Sequence, residues 1–325
     1  MLTDNFANTA EAKQLPWIIE RIAKPEAPDG AAEFTSWFAA ERPRLEEQIL
    51  THGAILFRGT GIGSPEELAL FLRTAAPSLL DYVTGNSPRT RIERGVYTST
   101  EYPAPYLIWL HNEMSYSHVW PEKLFFCCVI APRSGGETVI ADSRELLRRL
   151  DPAIVDEFRR RGVMYIRNLH GGNGFGTSWQ DTFETTDRQA VERYCEGAGI
   201  TYEWRDEGRL RISQVRPALL RHPRTGEEVW FNQADQFHPS THPREIFDSL
   251  MMVCGNNVDE LPQNARFGDG QEIDLASLEA IRAVARTSMV PVTWQTGDLL
   301  MIDNILVAHG RMPFAGPRKI LVAMC

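Results

Sequence analysis

The sequence predicts a mainly β protein with helical decoration, and three observations support this prediction. Short apolar runs bounded by glycine, proline and aspartate recur along the chain, a pattern that is typical of strands. Segments with helical periodicity or capping signals are fewer and lie between those runs. The 325 residues contain no internal repeat and no clear linker, and 43% of them are hydrophobic. We therefore expect one domain, residues 1–325, with a large core.

The predicted elements each have their own signal in the sequence. A strand over 53–60 has glycine near both ends, and the helix over 64–77 has Ser64 as its N-cap and Pro65 at its first position. Further strands are predicted over 123–132, 138–142, 162–169, 227–233, 289–295, 297–304 and 319–324. Further helices are predicted over 143–150, 151–161, 242–253 and 275–288.

The stretch from Leu169 to Arg209 differs from the rest because it is polar, rich in glycine and without a clear period. It contains the run GGNGFG, Gly171 to Gly176, which lacks the Lys-Ser/Thr ending of a phosphate-binding loop. We therefore expect residues 169–209 to form an irregular insertion or lid rather than a second domain.

Charge and cysteine content narrow the class of protein. A net charge of −9 argues against nucleic acid as a partner, since proteins that grip phosphate backbones usually have a basic face. The five cysteines form no CxxC pair and are odd in number, as expected of buried thiols in a reducing compartment. The first residues lack the basic start and apolar core of a signal peptide, so none is expected, and the apolar runs are too short to span a bilayer. We expect a soluble cytoplasmic protein with no membrane partner, and the oligomeric state is not predicted.

Two histidines and a glutamate are candidate metal ligands. His111 and Glu113 lie two residues apart in WLHNEMSY, and in an extended strand residues i and i+2 face the same side. His309 ends a second apolar run and precedes a glycine. Two histidines and one carboxylate with three open positions are the arrangement for non-haem Fe(II). Zinc also accepts this ligand set, so a zinc hydrolase is a remote alternative, as is a catalytically silent binding module.

The sequence resembles the taurine-dioxygenase-like superfamily of Fe(II)/2-oxoglutarate oxygenases in four segments taken together: LHNEMSY, PRSGGETVIADSRELLRRL, VWFNQ and DNILVAHGRMPFAGPRKILVAM. It is most similar to the syringomycin-type aspartyl hydroxylases and the clavaminate-synthase-like enzymes. The resemblance runs from about Gly53 to the C-terminus and implies a double-stranded β-helix, or jelly-roll, core. It also implies that Fe(II), 2-oxoglutarate and O2 take part, with His111, Glu113 and His309 as the iron ligands.

The resemblance further implies two anchors for 2-oxoglutarate. Thr138 stands where the family places a threonine or serine after the carboxylate ligand. Arg318, nine residues after His309, matches the family arginine that holds the far carboxylate, at a slightly short interval. Arg311 competes for this role, but Arg318 lies in a turn that enters a strand, and anchors on strands are rigid. The family's second downstream arginine is absent.

The substrate is expected to be a small molecule. The resemblance implies hydroxylation of an amino acid or an amino-acid derivative, free or held on a carrier protein, in natural-product biosynthesis. Glu101, Asn232 and Arg311 are candidate substrate contacts, although Glu101 could equally be solvated and Asn232 could equally cap a turn. Desaturation or cyclisation at the same site, or oxidation of another small acid such as a sulfonate, are the alternatives. Glu113 argues against halogenation, because family halogenases lack this carboxylate.

Overall fold

A computed structural model describes residues 6–8, 15–21, 30–80, 89–93, 95–99 and 102–325. Its strands are β1 (Phe6–Asn8), β2 (Trp17–Arg21), β3 (Ala54–Arg58), β4 (Arg91–Glu93), β5 (Val96–Thr98), β6 (Ile108–His111), β7 (Lys123–Ile130), β8 (Ser134–Gly135), β9 (Thr138–Asp142), β10 (Val163–Leu169), β11 (Thr201–Trp204), β12 (Leu210–Arg216), β13 (Leu219–Arg221), β14 (Glu228–Trp230), β15 (Gln263–Phe267), β16 (Val290–Val292), β17 (Leu299–Asp303), β18 (Val307–Arg311), β19 (Phe314–Ala315) and β20 (Lys319–Met324). Its α-helices are α1 (Gly30–His52), α2 (Pro65–Ala75), α3 (Ser143–Arg149), α4 (Pro152–Arg161), α5 (Trp179–Phe183), α6 (Arg188–Ala198), α7 (Ala234–Phe237), α8 (Arg244–Val253) and α9 (Leu275–Ser288).

Two largely antiparallel sheets enclose the centre of the molecule. The larger sheet has the strand order β1-β2-β3-β17-β7-β20-β5-β4, and the smaller sheet has the order β16-β9-β18-β6. The apolar cluster between them draws on both sheets, with Leu56 and Leu300 from the larger and Ile140 and Val307 from the smaller. The jelly-roll core expected from the sequence is therefore confirmed.

Helices cover the outer face of each sheet. Side chains alternate along a strand, so the chain neighbours of residues that point between the two sheets point to the outer faces. On the larger sheet, Phe57 and Phe125 pack against α1 and α2. On the smaller sheet, Val139 and Ala308 belong to a cluster that includes residues of α3, α4 and α9. The smaller sheet is thus buried on both faces, and its alternate residues face two different environments.

Every strand and helix predicted from the sequence is present, usually with shorter bounds. Ser64 caps α2 by accepting a hydrogen bond from the backbone N–H of Glu67 at 3.2 Å. The long helix α1 was not among the predicted elements, since Pro43 lies inside it and proline usually argues against a helix interior. Within the described residues, no helix combines the length and the hydrophobicity that a membrane crossing requires.

The segment 169–209 is more regular than expected. Beyond its glycine loop it contains α5, α6 and β11, and β11 joins a sheet of order β11-β12-β10-β15. Trp179, Val191, Cys195 and Ile212 form a separate small core there. Val191 and Cys195 lie four residues apart, so they share one face of α6. The polar residues on the exposed side of the helix made this apolar period hard to see in the sequence. The expectation of an irregular segment was wrong, while its role as a lid stays a prediction.

Candidate metal centre and its cavity

His111 and His309 face each other on neighbouring strands. His309 of β18 pairs with His111 of β6 in the sheet register, and their ring centroids lie 4.3 Å apart. Their chain neighbours Leu110 and Ala308 belong to the outer cluster, so by alternation both imidazoles point between the sheets. His309 lies in the middle of β18 rather than at the end of a strand, which corrects the position expected from the sequence.

Glu113 reaches the same place by a different route from the one predicted. Strand β6 ends at His111, and Glu113 lies in the turn that follows, before Met114 with its positive φ of 56°. The expectation that His111 and Glu113 face the same side of one extended strand is therefore wrong for Glu113. Instead, Asn304 holds the turn, because its Oδ1 accepts from the Glu113 N–H at 2.7 Å and its Nδ2 donates to the Glu113 carbonyl at 3.0 Å.

The three side chains form a set that can bind a metal ion. One ligand atom from each of His111, Glu113 and His309 lies within 4.8 Å of the others. Nδ1 of His111 lies 2.8 Å from the carbonyl of Trp109, and this bond leaves Nε2 as the atom with a free lone pair. Burial lowers the pKa of His111 and lowers that of His309 well below its usual value, so both rings are neutral. Two neutral imidazoles and a carboxylate fit Fe(II).

A small cavity opens on the two histidines. Its other lining residues are Arg89, Ser99, Ile108, Phe126, Thr138, Gly310, Arg311 and Arg318. The structure therefore brings the predicted 2-oxoglutarate anchors Thr138 and Arg318 to the same space as the histidines. It also places Arg311 there, two residues after His309 on the same strand.

The two arginines from the C-terminal strands have different partners. Arg311 donates from Nη1 to the carbonyl of Tyr102 at 2.8 Å, and from Nη2 to those of Pro103 at 2.8 Å and Tyr106 at 2.9 Å. Arg318 donates from Nε to the carbonyl of Gly136 at 3.0 Å and from Nη1 to Ser99 Oγ at 3.3 Å. Within the described residues Nη2 of Arg318 makes no hydrogen bond, so Arg318 has more capacity to bind a ligand than Arg311.

Thr138 is oriented by an indole. Trp294 donates from Nε1 to Thr138 Oγ1 at 3.1 Å, and Thr138 is buried. Since the hydroxyl oxygen already accepts a hydrogen bond, its own proton is left to donate to an acceptor in the cavity.

The structure does not place Asn232 with the metal cluster. Its Nδ2 donates to the carbonyl of Ala218 at 2.9 Å and its Oδ1 accepts from the N–H of Ala234 at 3.1 Å, as in a turn cap. It lines a separate cavity on the other side of the smaller sheet, together with Leu110 and Ala308. Of its two interpretations, these contacts favour capping. Glu101 lies outside the described residues.

Two residues that sequence reasoning missed stand beside the cluster. Arg89 donates from Nη2 to Glu113 Oε2 at 2.6 Å, and Asn304 holds the backbone of Glu113. Arg89 lies in the polar run SPRTRIERG, which reads as an exposed loop. Asn304 closely follows the continuous apolar run LLMI, which indicates a buried strand but does not identify the partner of Asn304.

The chain matches one family model and is similar to curated proteins over most of its length. The sequence model of the family described as "Taurine catabolism dioxygenase TauD, TfdA family" matches residues 22–324. The chain is 40% identical over 280 residues to the dapdiamide synthesis protein DdaC of Enterobacter agglomerans, covering 86% of this chain and 84% of that protein. It is 29% identical over 304 residues to a clavaminate synthase-like protein of Arabidopsis thaliana, covering 90% and 87%.

Solved structures share the fold. PvcB of Pseudomonas aeruginosa superposes with a TM-score of 0.53 at 16% identity, over 98% of this chain and 90% of that one. PvcB is described as an Fe, alpha-ketoglutarate dependent oxygenase from an isonitrile synthetic pathway. AAD-2, in complex with Mn(II) and N-oxalylglycine, superposes with a TM-score of 0.50 at 12% identity, over 98% and 96%.

Proposed function

Because the chain belongs to the taurine catabolism dioxygenase TauD, TfdA family, we propose that it hydroxylates an unactivated C–H bond of an amino acid or an amino-acid derivative. It is an enzyme, an Fe(II)- and 2-oxoglutarate-dependent dioxygenase. A role in natural-product biosynthesis is supported by DdaC, a dapdiamide synthesis protein, and by PvcB, from an isonitrile synthetic pathway. The observation that carries the proposal is the cluster of His111, Glu113 and His309, whose two histidines line one cavity with Thr138 and Arg318.

His111, Glu113 and His309 would hold the iron. Three protein donors leave three positions for other ligands, and this is the feature that distinguishes oxygenase sites from closed structural sites. Bound iron would supply the activation of O2, with 2-oxoglutarate as the source of electrons. The neutral imidazoles need no deprotonation before they bind a metal.

Arg318 and Thr138 would hold 2-oxoglutarate. Burial lowers the pKa of Arg318 to about 10, so its guanidinium stays charged at neutral pH and favours an anion in the cavity. Its bonds to Gly136 and Ser99 fix the plane of the guanidinium, and a fixed plane suits two parallel bonds to a carboxylate. The free proton of the Thr138 hydroxyl would supply a further donor.

The test is succinate formation with candidate substrates. Purified protein, Fe(II), 2-oxoglutarate and O2 are incubated with amino acids, free or loaded on a carrier protein, and with a sulfonate as the alternative substrate class. An amino acid or amino-acid derivative should stimulate succinate release, and its product should gain one oxygen atom. Loss of two hydrogen atoms would indicate desaturation or cyclisation instead. Stimulation by the sulfonate alone would overturn the amino-acid assignment, and a His309→Ala variant as active as the wild type would overturn the metal assignment.

A further inference from the structure

Arg89 forms a buried ion pair with a proposed metal ligand. Its Nη2 lies 2.6 Å from Glu113 Oε2, and the two side chains are only 3% and 4% exposed. The same oxygen lies 3.7 Å from His309 Nε2. The guanidinium therefore reaches into the cluster itself and contacts the side of the carboxylate that faces a histidine.

The charge of Arg89 acts on the place where a cation would bind. The carboxylate that Arg89 binds belongs to the cluster whose ligand atoms all lie within 4.8 Å of one another, so the guanidinium is close to both histidine rings. Like charges repel most strongly where water is excluded. A divalent metal and this guanidinium would hence compete for the negative charge of Glu113.

An anion in the cavity would relieve that competition. Arg89, Arg311 and Arg318 all line the cavity, and among its described lining residues none is a carboxylate; Glu113 stands at its edge as the partner of Arg89. Arg311 is bound to three neutral carbonyl groups, and within the described part of the chain no carboxylate forms an ion pair with it. A dianion such as 2-oxoglutarate would bring negative charge close to Arg89, Arg311 and Arg318 and would thereby weaken the hold of Arg89 on Glu113.

We propose that Arg89 competes with Fe(II) for Glu113 and that 2-oxoglutarate relieves this competition, so that the metal and the co-substrate bind cooperatively. The inference rests on the proposed function of the cluster and adds a regulatory role for one residue. Metal binding alone is weakened by the guanidinium, and it is restored when the dianion is present. Linkage requires the converse as well, so the metal tightens 2-oxoglutarate binding by the same factor.

The test measures the Kd of Mn(II) in the absence of substrate, with and without 2-oxoglutarate. The free ion is quantified by its electron paramagnetic resonance signal. In the wild type, 2-oxoglutarate should lower the Kd of Mn(II) at least tenfold. Arg89→Gln keeps hydrogen-bond donors but removes the charge; it should bind Mn(II) alone at least tenfold more tightly than the wild type, with a correspondingly smaller effect of 2-oxoglutarate. Arg58→Gln is the matched control, since Arg58 pairs with Asp298 at 3.2 Å outside the cavity, and it should behave as the wild type.

Each alternative outcome has a distinct meaning. Weaker or unchanged Mn(II) binding by Arg89→Gln would overturn the competition, and weaker binding would make Arg89 a positioning partner of Glu113. A wild type whose Mn(II) affinity ignores 2-oxoglutarate would overturn the proposal without any variant. Failure of the proposed function itself would look different, because wild type and His309→Ala would then bind Mn(II) equally poorly.

Discussion

Asn304 holds the backbone of Glu113 on both sides, accepting from its N–H at 2.7 Å and donating to its carbonyl at 3.0 Å. Asn304 is fully buried, and its Nδ2 also donates to the carbonyl of Pro121 at 2.8 Å. It precedes His309 by five residues in the chain. One side chain thereby links the turn that bears the carboxylate to the connection that leads into the strand of the second histidine.

Asn304→Ala should weaken Mn(II) binding about 10- to 100-fold, since loss of a residue that orients a ligand commonly has this effect. The measurement is Mn(II) titration at a temperature where circular dichroism shows the variant folded. Asn168→Ala is the control, because Asn168 also donates to two backbone carbonyls, those of Asp259 and Leu261, away from the cavity. Equal losses of Mn(II) affinity in both variants would contradict a specific role of Asn304.

Glu113→Ala should abolish hydroxylation and leave the fold intact, because Asn304 binds the backbone of this residue and not its side chain. The activity readout is succinate formation, and the fold is checked by thermal unfolding. His111→Ala and His309→Ala should likewise be inactive, since the loss of one of three ligands dismantles the site. Wild-type turnover by Glu113→Ala would refute its assignment as a ligand.

Arg318→Ala should raise the KM for 2-oxoglutarate about tenfold or more. A charge pair of this kind costs about 2–5 kcal/mol to break, and about 1.4 kcal/mol corresponds to one decade. Arg311→Ala should raise this KM less, because Arg311 is bound to the carbonyls of Tyr102, Pro103 and Tyr106, and should mainly lower thermal stability. The reverse pattern of KM values in the two variants would exchange their roles.

Asp235 should make stability depend on pH. Burial raises the pKa of the Asp235 carboxyl from 3.8 to about 6, so the folded state binds its proton more tightly than the unfolded state does. The stabilising contribution is therefore fully present below the unfolded pKa and is lost as pH rises through about 6.

Asp235→Asn should remove this dependence, since the amide is neutral throughout and similar in shape. Relative to the wild type, the variant should gain on the order of 2–3 kcal/mol of unfolding free energy between about pH 4 and pH 8. Urea unfolding at the two pH values gives the comparison. A gain that is independent of pH would show that the charge of Asp235 is not its cause.

Limited proteolysis should cut the free enzyme within residues 169–209, and first in the glycine loop, where Phe175 is 62% exposed. The helix α6 that follows is tied down by its own core and by an edge contact between Tyr194 and His118, with ring centroids 5.6 Å apart. Iron, 2-oxoglutarate and substrate together should slow cleavage if this segment closes over the substrate. Cleavage at an unchanged rate in the full complex would argue against a lid.

The sequence predicted the parts of the site that depend on residue type and local order. His111, Glu113 and His309 could be predicted as a cluster because metal ligands are few in kind, and the family resemblance pointed to Thr138 and Arg318, which line the same cavity as the two histidines. Arg89 and Asn304 could not, because each acts through one partner that is distant in the chain, 24 residues away for Arg89 and 191 for Asn304. The conformation of Glu113 was also missed, since the end of a strand depends on the tertiary bonds that hold the following turn.

Asn304 and Arg311 each hold the backbone of a different segment, and this separation bears on engineering. Asn304 fixes the carboxylate from the turn after β17, whereas Arg311 binds the backbone of the segment around Tyr102 and Tyr106, whose side chains are largely exposed. Because Arg311 contacts only carbonyl oxygens there, side chains in that segment can be exchanged without loss of those bonds. Substitutions at Tyr102 and Tyr106 should therefore change the exposed side chains of that segment while the proposed iron ligands keep their positions.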